Sequence, residues 1–363
     1  MHSRTDRYFS PDYGTARRRF RDSTKRVGAT LESVHLDAKG PAGEDLAIDI
    51  AWFGPENPRR VILHSSGLHG VEGFAGSAIQ LQLLDSLPPL PKDAALILVH
   101  VLNPYGMAWL RRANENNVDL NRNCPPDGTY SGAPPAYHKL DSFLNPQSPP
   151  SSDFFVLRAA SLILRYGLAP LKQSIAGGQY GYPKGLFFGG RRLEQGLERY
   201  RSYLQGRLAS AQSLIAIDVH TGLGKYGEDT LLVDAREYDR LGRILGDRVR
   251  ALETKQSPAY RPEGGLPDLL SSSLPNARVD FIGQEFGTHN PVKVLHALRE
   301  ENRWHHFGGG TIDHATKDAL KLAFYPADEW WRRSVLKRGQ DLMKQVLGCG
   351  MLAPTGGNNA GFA

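Results

Sequence analysis

Between Tyr13 and Leu31 the apolar side chains Tyr13, Phe20, Val27 and Leu31 recur at near-helical spacing with arginines between them. This predicts an amphipathic helix whose basic residues form its solvated face. LESVHL and DLAIDIAWF then read as two strands joined by the turn-rich AKGPAGE, a hairpin. In RRVILHSSGLHGVEGFAGSAIQLQLLDSL the period changes. The short β-branched run Val61 to Leu63 ends in a Gly-rich loop and passes into a long apolar-periodic segment, the strand, loop, helix order of an α/β protein. The strand signal returns in AALILVHV, which runs up to Asn103-Pro104, in SLIAIDVH, which ends at His220, and in DTLLVDA and RVDFIGQEF.

The stretch Pro125 to Pro150 is rich in proline, which reduces the entropy of a loop that must stay in place, and it reads as an ordered surface excursion or lid. Helices are expected near Asp153 to Tyr166 and Leu193 to Ser210. No internal repeat and no linker divides the chain. The expected fold is one α/β domain over residues 1–350, with a mixed, mainly parallel twisted sheet, helices on both faces and the site at the carboxyl edge of the sheet. Within it, the N-terminal helix and hairpin occupy 10–54 and the Pro-rich insertion 125–150. The small, polar, Gly-rich tail 351–363 is expected to be disordered.

Composition narrows the class. At 363 residues, 40% apolar and 23% charged, the chain has the make-up of a globular protein able to bury one large core. Two cysteines, Cys124 and Cys349, are too few for a disulfide framework and fit a reducing compartment. The N-terminal stretch lacks the apolar segment of a secretory signal, and no run is long enough for a membrane helix, so a cytoplasmic location is expected, without a membrane partner. The net charge of +6 is concentrated in ARRRFRDSTKR, which the helical spacing already explains. No aromatic-interleaved groove accompanies it, which argues against a nucleic-acid partner.

The candidate chemistry collects at strand ends. His69 and Glu72 lie three residues apart in LHGVEG directly after a strand, a spacing at which an imidazole and a carboxylate can converge on one cation. Such a pair is common by chance, and a helix-entry histidine beside a glutamate at a helix N-terminus would look the same. His220, at the end of SLIAIDVH, supplies a second histidine in the same architectural position. A His, Glu, His set leaves a fourth position open, as catalytic zinc requires. Glu285, ending the run FIGQEFGT, is the candidate general base. WLRRANENNVDLNRN, Trp109 to Asn123, offers Arg111, Arg112 and Arg122 for a carboxylate or oxyanion, with Asn114 and Asn121 as neutral donors. His64 reads as strand-end packing and His305 with His306 as a surface or core-edge pair, while His289 is a candidate for the pocket lining.

Together these motifs resemble the zinc carboxypeptidases related to carboxypeptidase A. The resemblance is strongest to the uncharacterised branch called domain of unknown function 2817, and more distant to the aspartoacylase and succinylglutamate desuccinylase deacylases. It is carried by SSGLHGVEGFAGSA, NPYG at Asn103 to Gly106, RANENNVDLNR, DVHTGLG and EFGT, in that order along the chain. It covers Val61 to Gly287 for the broad pattern and runs nearly end to end for the uncharacterised branch. The resemblance implies one zinc ion on His69, Glu72 and His220, with Glu285 promoting water attack and passing the proton to the leaving amine. It further implies Arg112 at the carbonyl oxygen, Asn121 and Arg122 on the substrate's terminal carboxylate, and Asp119 orienting His69. Two features depart from the pattern: the 148-residue interval between Glu72 and His220, and a substrate-capping tyrosine without a match, for which Tyr180, Tyr182 and Tyr226 are candidates.

The leading expectation is a zinc hydrolase cleaving an amide or peptide bond next to a free carboxylate on a peptide or small molecule. A deacylase of N-acyl amino acids uses the same residues. A non-catalytic zinc- or ligand-binding protein is the reading from another class. A serine hydrolase is disfavoured, because the chain has no Gly-x-Ser-x-Gly turn and Ser65 and Ser66 have no assignable triad.

Overall fold

The computed structural model describes residues 5–87, 89–252 and 264–348. The C-terminal tail 351–363 and Cys349 lie outside the described residues. Eight strands form one sheet: β1 Thr30–Lys39, β2 Asp45–Phe53, β3 Arg60–Ser66, β4 Ala94–His100, β5 Ser213–Tyr226, β6 Asp229–Val233, β7 Val249–Ala251 and β8 Arg278–Gly287. Their order across the sheet is β1-β2-β4-β3-β5-β8-β6-β7. The four central strands β4, β3, β5 and β8 run parallel, and antiparallel neighbours lie outside them at β2 and β6. The expected mixed, mainly parallel sheet in a single α/β domain is what the chain forms.

The alternation of strand and helix signals explains this arrangement. β4 is buried along its whole length, the continuous apolar run that a strand covered on both faces requires. The helix Gly73–Asp85 follows β3, packs over β3 and β5, and returns the chain to β4 in the parallel crossover predicted from the change of period. The helices Tyr13–Arg26 and Glu329–Gly348 pack against it. Among them lies Gly339, where an added Cβ would come within 2.8 Å of Ile79, so the two helices approach closely. A separate pair, Gln195–Arg207 and Leu266–Ser273, packs together beside β1 and β8.

The expected solvated arginine face of the first helix is only partly present. The helix is there, with Tyr13, Ala16 and Phe20 buried, but Arg17 and Arg21 pair with Asp49 of β2, whose side chain is fully buried. A buried carboxylate needs such partners, and two of the arginines supply them. The Pro-rich stretch contains a helix, Pro135–Leu144, started by Pro135 at its first position, and a further helix, Leu168–Ala176, follows Phe155–Tyr166. These helices share a second apolar cluster with Pro291–Phe307 and Ala315–Phe324, beside the carboxyl ends of the central strands. No helix among the described residues is long and apolar enough to cross a membrane.

Candidate metal centre

His69, Glu72 and His220 meet just past the end of β3, where its pairing with β5 stops at Ser66 and Val219. His220 lies inside β5, which runs on to Tyr226 rather than ending at His220 as expected, and the chain leaves β3 through a turn that presses two backbones together. Gly67 takes φ +67°, and a Cβ on Gly70 would lie 2.2 Å from the backbone of Gly106. Only glycine permits that approach, and it links LHGVEG to NPYG. Asn103 caps the short helix Pro104–Ala108 by accepting the Gly106 N–H at 2.8 Å, and Val71 N–H donates to the Arg111 carbonyl at 2.9 Å. The turn Gly70–Glu72, which carries Glu72 and follows directly on His69, is thereby fixed from outside.

The three side chains are buried, and their donor atoms converge. His69 Nδ1 lies 3.0 Å from Glu72 Oε1, His220 Nδ1 lies 3.1 Å from Glu72 Oε2, and the two Nδ1 atoms are 3.2 Å apart. Among the described residues this is the one group of at least three such side chains able to hold a metal ion. The donor set fits zinc, since ligands at about 2.0–2.1 Å on tetrahedral axes stand roughly 3.3 Å from one another.

Each histidine is held from behind by a carboxylate. His69 Nε2 is 3.1 Å from Asp119 Oδ1, and His220 Nε2 is 2.7 Å from Asp218 Oδ2. A proton on each Nε2, toward Asp119 and Asp218, would leave the Nδ1 lone pairs facing the centre, the tautomer a metal ligand needs, although Arg112 also lies 2.8 Å from His69 Nε2. Ser65 Oγ in turn donates to Asp218 Oδ1 at 2.7 Å. Asp218 is absent from the residues expected from sequence. Its signal was available in Asp-Val-His, since residues two apart on a strand share a face.

Charge is concentrated here. Burial alone would raise the Glu72 carboxyl, but His69, the hydrogen bond from His220 and Arg112 outweigh it and hold Glu72 below the usual carboxylate range. Asp119 is likewise held well below it, with Arg112, His69 and Arg122 opposing burial. For His220, burial disfavours the cation, yet Asp218 and Glu72 raise it well above the ordinary imidazole value.

Glu285 stands directly opposite His220 in the parallel register of β5 and β8. Its Oε1 accepts the Leu223 N–H at 2.8 Å, and burial, with repulsion from Glu72, pushes its carboxyl up to about 7. Arg112 donates to Glu72 Oε1 at 2.8 Å and to Asp119 Oδ2 at 3.1 Å, with its guanidinium over the Phe187 ring. His69, Glu72, Arg112, Asn121, His220 and Glu285 all line one cavity.

Arg122 is placed differently from the expectation. Its guanidinium is fully buried and donates to the Ala176 carbonyl and to the Asn121 carbonyl, and it does not line the cavity. The cavity wall instead carries Lys172, which the sequence reading did not select. Arg111 is buried against Glu301 at 2.9 Å, and Asn114 donates to Glu194, so both organise the fold rather than the cavity. None of the candidate capping tyrosines lines the cavity: Tyr180 donates to the Arg122 carbonyl, Tyr182 meets His138, and Tyr226 stacks on Trp330. His289 also stays off the lining, tilted against Tyr226, while His64 is buried within β3 as expected.

Residues 9–338 match the family described as "Protein of unknown function (DUF2817)". The chain belongs to this family. The DUF2817 chain is also similar to several solved structures. One is bovine thrombin-activatable fibrinolysis inhibitor in complex with tick carboxypeptidase inhibitor, at 12% identity and TM-score 0.45, covering 91% of the DUF2817 chain and 98% of the other. Another is carboxypeptidase A from Helicoverpa armigera, at 15% identity and TM-score 0.44, covering 91% and 78%. A third is murein-tripeptide amidase MpaA from Escherichia coli O157, at 17% identity and TM-score 0.39, covering 77% and 96%. No curated protein matches the DUF2817 sequence.

Proposed function

We propose that the protein is a zinc-dependent hydrolase that cleaves an amide bond by attack of water, with His69, Glu72 and His220 holding one zinc ion and Glu285 as the base. The observation that carries this reading is the convergence of three buried donor atoms beside a carboxyl whose affinity for a proton has been raised to about 7. When bound, zinc would polarise a substrate carbonyl and acidify water.

The protein's own groups do the rest. One oxygen of Glu285 is engaged by the Leu223 N–H, which leaves the other to take a proton from the attacking water. Because the proton affinity of Glu285 lies near neutrality, the same carboxyl can pass that proton to the leaving nitrogen. Arg112, whose guanidinium lies over Phe187 and donates to Glu72 and Asp119, is the group assigned to the carbonyl oxygen as its charge develops. Asp119 and Asp218 keep both imidazole rings turned so that Nδ1 faces the centre.

A free carboxylate next to the scissile bond would meet Asn121 at the cavity wall, whereas Arg122, paired to backbone carbonyls, stays off the lining. A second reading, a deacylase of N-acyl amino acids, is favoured by that same placement of Arg122, since it leaves Lys172 as the cation of the outer wall. Replacing Glu285→Gln keeps the size of the side chain and removes the base. Turnover of amide substrates should fall by about 10²–10⁴-fold, while elemental analysis still finds one zinc per chain. Undiminished turnover in that variant would remove Glu285 from the mechanism.

A further inference from the structure

The cavity that opens from the metal-ligating cluster extends well beyond what that chemistry uses. Its cavity volume is about 190 Å³. Its outer part is walled by Leu162, Ile163, Leu171 and Ile175, from the paired helices Phe155–Tyr166 and Leu168–Ala176, and by Leu295 and Leu298 from the helix Pro291–Phe307. Apart from Lys172, the side-chain donors and acceptors of the lining are confined to the cluster end. Protein interiors close over apolar space wherever side chains can reach it, so an open apolar chamber joined to reactive groups is built to receive an apolar ligand.

The character of the wall decides between two kinds of ligand. A polypeptide brings an N–H and a C=O at each residue, and these need partners when buried. The hydrocarbon side chains of the two helical walls offer none. An unbranched hydrocarbon needs nothing but contact. Lys172, on the wall helix Leu168–Ala176, is a lining cation whose charge interacts with Glu285, although burial lowers its proton affinity.

The outer surface of the same helices points the same way. Of the ten large apolar side chains that stand exposed among the described residues, six lie between positions 154 and 168, with Leu164 at 88% and Phe154 at 74%. A surface helix is ordinarily polar on the face it turns to water. Leu168 belongs to both settings, lining the cavity and standing half exposed at its rim.

We propose that the substrate is an amphiphile, an N-acylated amino acid whose acyl group is a medium or long unbranched chain. The chain enters past Leu168 and lies between the two helical walls, the amide sits at the cluster, and the carboxylate lies within reach of Lys172 or Arg112. This assignment rests on the amide-hydrolase reading and narrows it. The acyl carbon–nitrogen bond breaks, the oxygen of water joins the acyl carbon, and both protons of that water end on the leaving nitrogen, one of them carried by Glu285, leaving an ammonium and a carboxylate. A fatty carboxylate and a free amino acid result.

Two series of measurements test the assignment separately from the hydrolase reading. Saturated fatty carboxylates from butanoate to tetradecanoate, kept below their micellar concentrations, are titrated calorimetrically into protein held metal-free by a chelator. Affinity should rise about two- to fourfold per added methylene until the chamber is filled. Zinc-loaded protein is then supplied with acetyl-, hexanoyl-, decanoyl- and tetradecanoylglycine, and kcat/KM should climb with a similar slope. Ala159→Phe, which fills the wall, should move both optima to shorter chains, and Leu295→Ala, which deepens it, to longer ones. Affinity and kcat/KM that stay level or fall with chain length would overturn the assignment. A rising affinity series with no cleavage of any acylglycine supports the chamber's role and defeats the hydrolase reading instead.

Discussion

Glu285 should make the metal-free protein less stable as pH rises, and removing its charge should reverse that loss. Burial and the neighbouring Glu72 lift the carboxyl from 4.5 to about 7. The folded state therefore binds this proton more tightly than the unfolded chain does. Below about pH 4.5 both states are protonated and nothing is lost. Between about 4.5 and 7 the unfolded chain ionises first, and stability declines through that window. Above it the full cost applies, which for a shift of roughly 2.5 pH units is on the order of 3 kcal/mol. Glu285→Gln keeps an oxygen for the Leu223 N–H and removes both the buried charge and its repulsion of Glu72. In chelator-treated protein, the variant should melt about 4 °C above the parent at pH 8, a figure that follows from about 2.1 cal/mol/K of unfolding entropy per residue. The gap should close towards pH 4.5. Scanning calorimetry or thermal fluorescence across that range measures it. A gap that is independent of pH, or a variant less stable than the parent at pH 8, would refute the account of Glu285 as a carboxyl strained by burial.

Other elements carry predictions of their own. Asp218→Asn withdraws the carboxylate behind His220 and should weaken zinc binding by about 10–100-fold in competition with a chromophoric chelator, an effect that an unchanged affinity would contradict. Glu301→Gln leaves Arg111 and Lys317, both paired to Glu301 Oε1, without their shared anion in a buried setting; denaturant unfolding should show a loss of about 3–5 kcal/mol. Gly339→Ala should destabilise by about 1–3 kcal/mol because the added methyl meets Ile79 at 2.8 Å, whereas helix propensity alone predicts a gain of roughly 1 kcal/mol, so the sign of the change decides.

What could be read from the sequence follows from how local each signal is. The central strands β3, β4, β5 and β8 were legible because a short apolar, β-branched run ending in Gly, Asn-Pro or His needs no knowledge of its neighbours. The three candidate metal ligands stood out because each lies at or just after such an apolar run. β7, three residues long, carries no period and went unseen. The role of Arg17 and Arg21 was misjudged because the partner, Asp49, lies on a strand whose pairing only the fold reveals. Arg122 illustrates the same limit. The motif DLNRN fixes its place in the chain, but the carbonyl of Ala176, which turns the guanidinium away from the cavity, belongs to a helix 54 residues distant in sequence. Lys172 was invisible for the complementary reason, since a lysine in a helix reads as solvated unless the opposing wall is known.

The pairing of His220 with Glu285 across two parallel strands separates two kinds of inheritance within one molecule. The span between the imidazole and the carboxyl is set by a ladder of backbone hydrogen bonds that runs the length of β5 and β8, so neither residue depends on loop conformation for its place. The helical walls of the chamber, by contrast, are inserted between β4 and β5 or follow β8. A laboratory chimaera can exchange those helices and recast which molecule the cavity admits while His220 and Glu285 stay where the sheet holds them.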